Sequence, residues 1–243
     1  MFIGYASLTK TDDHIGNATL FAQQDVTLRD GVVVPAGAQY TQPTNLDGYW
    51  NARAFVNVGM PFGLLKSNLN LNMGGSYTRT PGEIDRQTNT ADVYTVSSGL
   101  VLGSNISQRL DFTLSYGANW TTTANSAFTE LDTDSTRHNA GVKFVWLPWR
   151  GLVLDTNLNA VHYAGLDQEL YPTAVLWNVG MGYKFLPGNA AELKLMIADV
   201  LDESTSVNRT VTEAYVEDVE TNVLGRYVML NLTYRLRNFG LGR

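Results

Sequence analysis

The sequence predicts an all-β, antiparallel transmembrane β-barrel with about 10–12 strands in this chain, and three observations carry that expectation. Segment after segment sorts by parity into one apolar and one polar list, the two-residue period of a strand with two unlike faces. Connections alternate between tight and long along the chain. The composition is rich in Gly (22) and in aromatic residues (5 Trp, 12 Tyr, 9 Phe), poor in charge (16%) and free of Cys.

Taken in order, strands are expected at 1–9, 14–23, 48–61, 64–79, 93–105, 109–121, 137–147, 151–163, 173–186, 191–201 and 223–236. The first 47 residues are the least regular. In 67–77, Leu69, Leu71, Met73 and Tyr77 oppose Asn68, Asn70, Asn72, Gly74 and Ser76. In 109–120 the split is perfect: Leu110, Phe112, Leu114, Tyr116, Ala118 and Trp120 against Arg109, Asp111, Thr113, Ser115, Gly117 and Asn119. Val175, Trp177, Val179, Met181, Tyr183 and Phe185 alternate with Leu176, Asn178, Gly180, Gly182 and Lys184, and the closing strand sets Val228, Leu230, Leu232, Tyr234 and Leu236 against Tyr227, Met229, Asn231, Thr233 and Arg235.

Tight turns are expected at 61–63, 106–108, 148–151 and 187–189, and longer polar loops near 80–92, 122–136, 165–172 and 202–222. This is the asymmetry of an outer-membrane barrel, with short periplasmic turns and longer loops outside. A row of Asn, Thr, Ser, Gly and Lys cannot face hydrocarbon, so the apolar list is expected to touch lipid. The lipid-facing aromatics are then Trp120, Trp146, Trp177, Tyr183 and Phe185, and the lumen receives Arg53, Asn57, Asn70, Asn72, Lys143, Asp155, Asn157, Lys184 and Lys194 among others. A soluble β-sandwich, which turns its apolar faces inward, is the rival; long strands and small residues on the polar face argue against it.

No run of about 18 apolar residues exists, and a mean hydropathy of -0.12 is what alternating barrel strands give. The opening MFIGYASLTKTDDH lacks the basic and apolar regions of a secretory leader. With a net charge of -6 and scattered basic residues, no nucleic-acid partner is expected. Catalytic, metal and cofactor sites are read as none: the three His are dispersed and taken as surface residues, and ELDTD (130–134) lacks the Gly and distal Glu of a calcium loop. The expected outer loops are strongly acidic, from Glu83 to Glu220, with only Arg86 and Arg209 opposing.

Eleven strands is odd, whereas bacterial single-chain barrels are even, so the irregular start is misread or the chain is part of a larger barrel. The segments NLDGYW (45–50), GSNISQRLDFTLSY (103–116), LWNVGMGYKFL (176–186) and above all 191–240 resemble the C-terminal half of the barrel of TonB-dependent outer-membrane receptors, in the outer membrane protein beta-barrel subfamily. The resemblance implies a 22-stranded plugged barrel, of which 1–243 supplies a single wall domain without the plug. It implies nutrient import from the cell outer membrane, with outer-membrane lipid and the barrel-assembly machinery as partners and the TonB complex engaged only through N-terminal parts not in this sequence. Tyr234, Leu236 and Phe239 resemble the assembly signal of the last strand. A self-closed small barrel, acting as a passive pore or as a structural or adhesion protein, is the alternative.

Overall fold

The computed structural model describes residues 1–28, 31–63, 66–104, 106–165, 173–203, 206–211, 216–221 and 224–236. The chain is all-β, and among the described residues it contains no α-helix. Its strands are β1 (Phe2–Thr11), β2 (His14–Phe21), β3 (Val26–Thr27), β4 (Val33–Val34), β5 (Gln39–Leu46), β6 (Tyr49–Phe62), β7 (Ser67–Ile84) and β8 (Gln87–Ser104). They continue as β9 (Leu110–Asn125), β10 (Thr133–Trp146), β11 (Leu152–Ala164), β12 (Thr173–Phe185), β13 (Ala191–Ala198), β14 (Ser206–Val211), β15 (Val216–Thr221) and β16 (Tyr227–Tyr234). Twelve of them form one sheet, whose backbone path is β1-β6-β7-β8-β9-β10-β11-β12-β13-β16. Neighbours on that path are antiparallel, and among the described residues β1 and β16 are not paired with each other, so the sheet is open.

The expected strand at 14–23 forms as β2 but is not a stave of this wall. It pairs with β5 and touches the tip of β7 in parallel, at Ala18–Glu83 and Thr19–Ile84. β1 instead lies directly against β6, from Phe2–Val58 to Thr11–Tyr49. The wall therefore has ten staves, an even number, and the odd count came from taking β2 as one of them.

The loop expected near 80–92 is corrected, because the strands run on through it, and the one near 122–136 is shortened to 126–132, because the strands run on into it. β7 and β8 are 18 residues each and close in a two-residue turn at Asp85–Arg86, both with positive φ (49° and 66°), the geometry of a type I′ hairpin. β9 and β10 likewise extend to Asn125 and back from Thr133. Segments such as TRTPGE and QTNTAD are polar on both sides, so the alternation stops although the hydrogen-bond ladder continues. The stretch 202–222 holds a further hairpin, β14–β15. The last strand is shorter than 223–236, ending at Tyr234.

Cross-strand partners share a face, so the registers trace each face across the whole wall. One row runs Leu232–Leu193–Tyr183–Leu152; another runs Leu230–Leu195–Met181–Leu154–Trp146–Leu110. Further rows are Val142–Leu114–Leu102–Leu69–Met60 and Tyr116–Leu100–Leu71–Val58–Phe2. Many large side chains of this face are exposed, Leu114, Tyr116, Trp120, Met181, Leu195 and Leu230 among them, and others, such as Leu69, Leu71 and Leu154, are half-buried. Buried hydrophobics among the described residues are few and mostly small: Ala22, Ala91, Ala118, Ala191 and Ala198, with Val34, Ile84 and Val153. Most of the large apolar residues are thus gathered on one sheet surface and not in a core, with exceptions such as Tyr5, Phe55 and Leu176 on the other face.

Candidate functional site

The opposite face carries the polar residues. Its rows include Asn231–Lys194–Gly182–Val153, Asn178–Asn157–Lys143–Thr113–Gly103–Asn68 and Arg53–Ser76–Thr95–Thr121. The polar residues expected to share a face do so: Arg53, Asn57, Asn70, Asn72, Lys143, Asp155, Asn157, Lys184 and Lys194 all fall on it by register. Glycines on this face make room for the side chains beside them. A Cβ at Gly99 lies 2.6 Å from Asn72 Oδ1, one at Gly59 lies 2.8 Å from Asn70 Oδ1, and one at Gly180 lies 2.5 Å from Asp155 Oδ2 and 2.6 Å from Lys194 Cε. The long polar side chains therefore lie flat along the wall over glycine.

Lys194 Nζ stands 2.8 Å from Asp155 Oδ2 across this face. That oxygen makes no well-aligned hydrogen bond, so the contact is mainly charge against charge. Elsewhere the face is bound by amides and hydroxyls: Asn51 Nδ2 donates to Thr78 Oγ1 at 2.8 Å, Arg53 donates to Asn51 Oδ1 at 3.1 Å, and Asn159 Nδ2 donates to Asn157 Oδ1 at 3.2 Å.

The aromatics Trp120, Trp146, Trp177, Tyr183, Phe185 and Tyr234 all lie on the apolar face. Trp146, Tyr183, Phe185 and Tyr234 are near the tight turns, and Trp120 and Trp177 toward the other end. Trp177 Nε1 donates to Thr156 Oγ1 at 2.8 Å, which satisfies the indole on the apolar face. Leu236 follows the end of β16 and is exposed, while Phe239 lies outside the described residues.

Several acids of the expected loops prove to be local acceptors. Asp85 Oδ1 accepts the Phe21 N–H at 2.8 Å, Asp132 Oδ1 accepts the Asn125 N–H at 2.6 Å, and Asp202 Oδ1 accepts the Arg226 N–H at 2.7 Å. Asp92 sits in β8 opposite Arg79, which donates two hydrogen bonds to it at 2.8 and 3.0 Å, and Tyr77 Oη donates a third at 2.7 Å. Arg79's hydrogen bonds, aided by Tyr77, hold the Asp92 carboxyl below its ordinary range against the opposing effect of partial burial.

A carboxylate with a depressed folded-state pKa stabilises the fold above its unfolded value, about 3.9, and that contribution is lost as pH falls through the lower folded value. Asp92→Asn is therefore expected to be less stable than the parent at neutral pH. The two unfolding free energies should converge as pH falls below the ordinary carboxylate range and through the lower folded value, as followed by tryptophan fluorescence across an acid titration.

A cleft of about 770 Å³ opens between the β2–β5 hairpin, the β3–β4 arm and the β7–β8 tip. It is lined by Thr19, Thr27, Tyr40, Gln42, Glu83 and Arg86, with Ala18, Leu20 and Leu28. Asp85 N donates to Thr19 O at 2.8 Å and so ties the hairpin to the tip. Sequence reasoning missed this cleft, since it rests on a parallel contact between segments 65 residues apart that no local pattern marks.

It also missed a pairing of two His expected as isolated surface residues. His138 and His162 lie directly opposite on β10 and β11, on the apolar face at the end away from the tight turns. The signal was present: the turn at 148–151 sets the register, and each His is eight residues from the Trp146–Leu154 pair.

Fold and faces together define the chain as an antiparallel all-β wall of ten staves with one apolar and one polar surface. No family model matches the chain, and neither a curated protein nor a solved structure matches it.

Proposed function

We propose that this chain is the wall of an outer-membrane β-barrel, the C-terminal portion of the barrel of a TonB-dependent receptor that imports a nutrient. The observation that carries the reading is the exposed apolar face, continuous from Phe2 on β1 to Leu232 on β16. Moving a Leu, Val or Phe side chain from water into an apolar surrounding is worth about 1.5–3 kcal/mol, so a surface of this extent calls for lipid. Aromatics toward both ends of the staves fit the two interfaces of a bilayer. That no helix of the described residues is long and apolar enough to cross a membrane says nothing against strands doing so.

The receptor reading is further supported by the resemblance over 191–240 and by the two sheet edges, unpaired among the described residues, which further strands would continue. Coupling to the TonB complex would then run through segments N-terminal to this wall, and assembly through the last strand with Tyr234 and Leu236. The reading assigns no catalysis to the chain, and no cofactor.

A self-closed passive pore is favoured by one observation. β1 leaves the tight-turn end and β16 returns to it, so the two edges are antiparallel and ten staves are even. Heat-modifiable migration of the refolded chain, followed by single-channel recording in a planar bilayer, separates the two. The receptor reading expects no steady conductance from this chain alone; discrete, stable openings would establish the closed pore instead.

A further inference from the structure

We propose that His138 and His162 form a two-imidazole binding site for a divalent transition-metal ion on the apolar face of β10 and β11. Their ring centres are 6.2 Å apart with planes inclined by 34°. As a directly opposed cross-strand pair they project side by side from the same face. Small rotations bring both within the roughly 2.0–2.1 Å at which imidazole nitrogen binds a metal such as zinc. His162 is exposed and His138 half-buried, so protein does not cover the pair, which lies at the end of the apolar face away from the tight turns, toward the water boundary of a bilayer. Ala118 and Ala140, beside His138, and Ala160, beside His162, leave room for the rings to turn.

Each imidazole already has an oxygen partner on its other nitrogen. Tyr116 Oη lies 2.7 Å from His138 Nδ1, and Thr173 Oγ1 lies 2.8 Å from His162 Nδ1. Metal-binding imidazoles characteristically donate their second N–H to an oxygen, which fixes the tautomer and turns the free lone pair toward the ion. With Nδ1–H donating to these hydroxyls, both Nε2 lone pairs are available to one ion, and the remaining coordination positions are open to water. Trp120 stands edge-on to His138, at 6.4 Å between centres, and limits its movement on one side.

Among the described residues no cluster of three or more His, Cys, Asp or Glu surrounds the pair. A pair of imidazole nitrogens favours imidazole-loving ions, with Cu²⁺ ahead of Ni²⁺ and Zn²⁺, over Ca²⁺ or Mg²⁺. This inference does not depend on the import reading, since it needs only the β10–β11 register.

The test is Cu²⁺ titration of the refolded full chain in detergent micelles, read by electron paramagnetic resonance. One equivalent is expected to give an axial spectrum with superhyperfine splitting from two nitrogens. His138→Gln and His162→Gln should each remove one nitrogen from the pattern, and Tyr116→Phe should weaken binding about tenfold, in the range for loss of an outer hydrogen-bond partner. His14→Gln, whose ring stacks on Tyr49 at 4.2 Å far from the site, should leave the spectrum unchanged. His162 is exposed, so its variant keeps the test valid if His138→Gln misfolds. An unchanged two-nitrogen spectrum in His162→Gln, or Cu²⁺ retained in the double variant through the Met1 amino group, overturns the proposal.

Discussion

Leu100→Arg is expected to cost about 2–4 kcal/mol of unfolding free energy in lipid vesicles, the penalty for Arg near the middle of a bilayer on the lipid face of a barrel. Leu100 lies well inside β8 on the apolar face, between Leu71 on one side and Tyr116 on the other, and is exposed. Val101, the next residue, points to the opposite face, between Asn70 and Ser115. Arg at Val101 meets amide, hydroxyl and water, and should cost well under half as much. The pair of variants changes the same chemistry by one position along one strand, so propensity and net charge cancel in the comparison. Equal losses in urea titrations would mean that both faces meet the same medium and would remove the basis for a membrane wall.

The alternation was legible where the two faces meet different surroundings and nowhere else. In 109–120 every second residue declared its face, and the registers on both sides agree, with Leu114 between Val142 and Leu102. In 80–92 the pattern vanishes, yet the ladder from Thr80–Ala91 to Ile84–Gln87 is unbroken. A periodicity of hydrophobicity reports the boundary of the apolar zone and not the end of the strand. The same limit hid the role of β2: HIGNATLF alternates well enough to pass for a stave, and only its pairings, with β5 and at Ala18–Glu83, show that it leaves the wall.

For the candidate sites, face membership was legible and partnership was not. Asp155 and Lys194 could each be put on the polar face, but their ion pair spans β12, where Gly180 leaves the gap that lets the two meet. His138 and His162 could be paired by counting outward from 148–151, because a tight turn fixes which residues face one another. The β2–β5 cleft had no comparable signal, since its walls come from a hairpin that folds back outside the order of the wall.

That turn also carries the second large effect. Gly151→Ala is expected to cost at least the ~1–3 kcal/mol of a non-glycine residue held in the left-handed region, where Gly151 sits at φ 83°. The added methyl would also lie 2.6 Å from the Lys184 carbonyl oxygen and 3.0 Å from the Tyr183 ring, and a carbonyl in a paired strand cannot step aside. The Gly151 carbonyl accepts the Lys184 N–H at 2.6 Å, so relief by moving the turn breaks the bond that joins it to β12. Gly103→Ala is the matched control: it sits in β8 on the polar face with nothing within 4 Å of a new Cβ, and should be neutral or slightly stabilising through the unfolded chain. Because this turn sets which residues of β10 and β11 oppose one another, Gly151→Ala should also lower the yield of heat-modifiable refolded protein. If its urea midpoint equals that of Gly103→Ala, the left-handed turn at Gly151 is not the point that fixes the β10–β11 register.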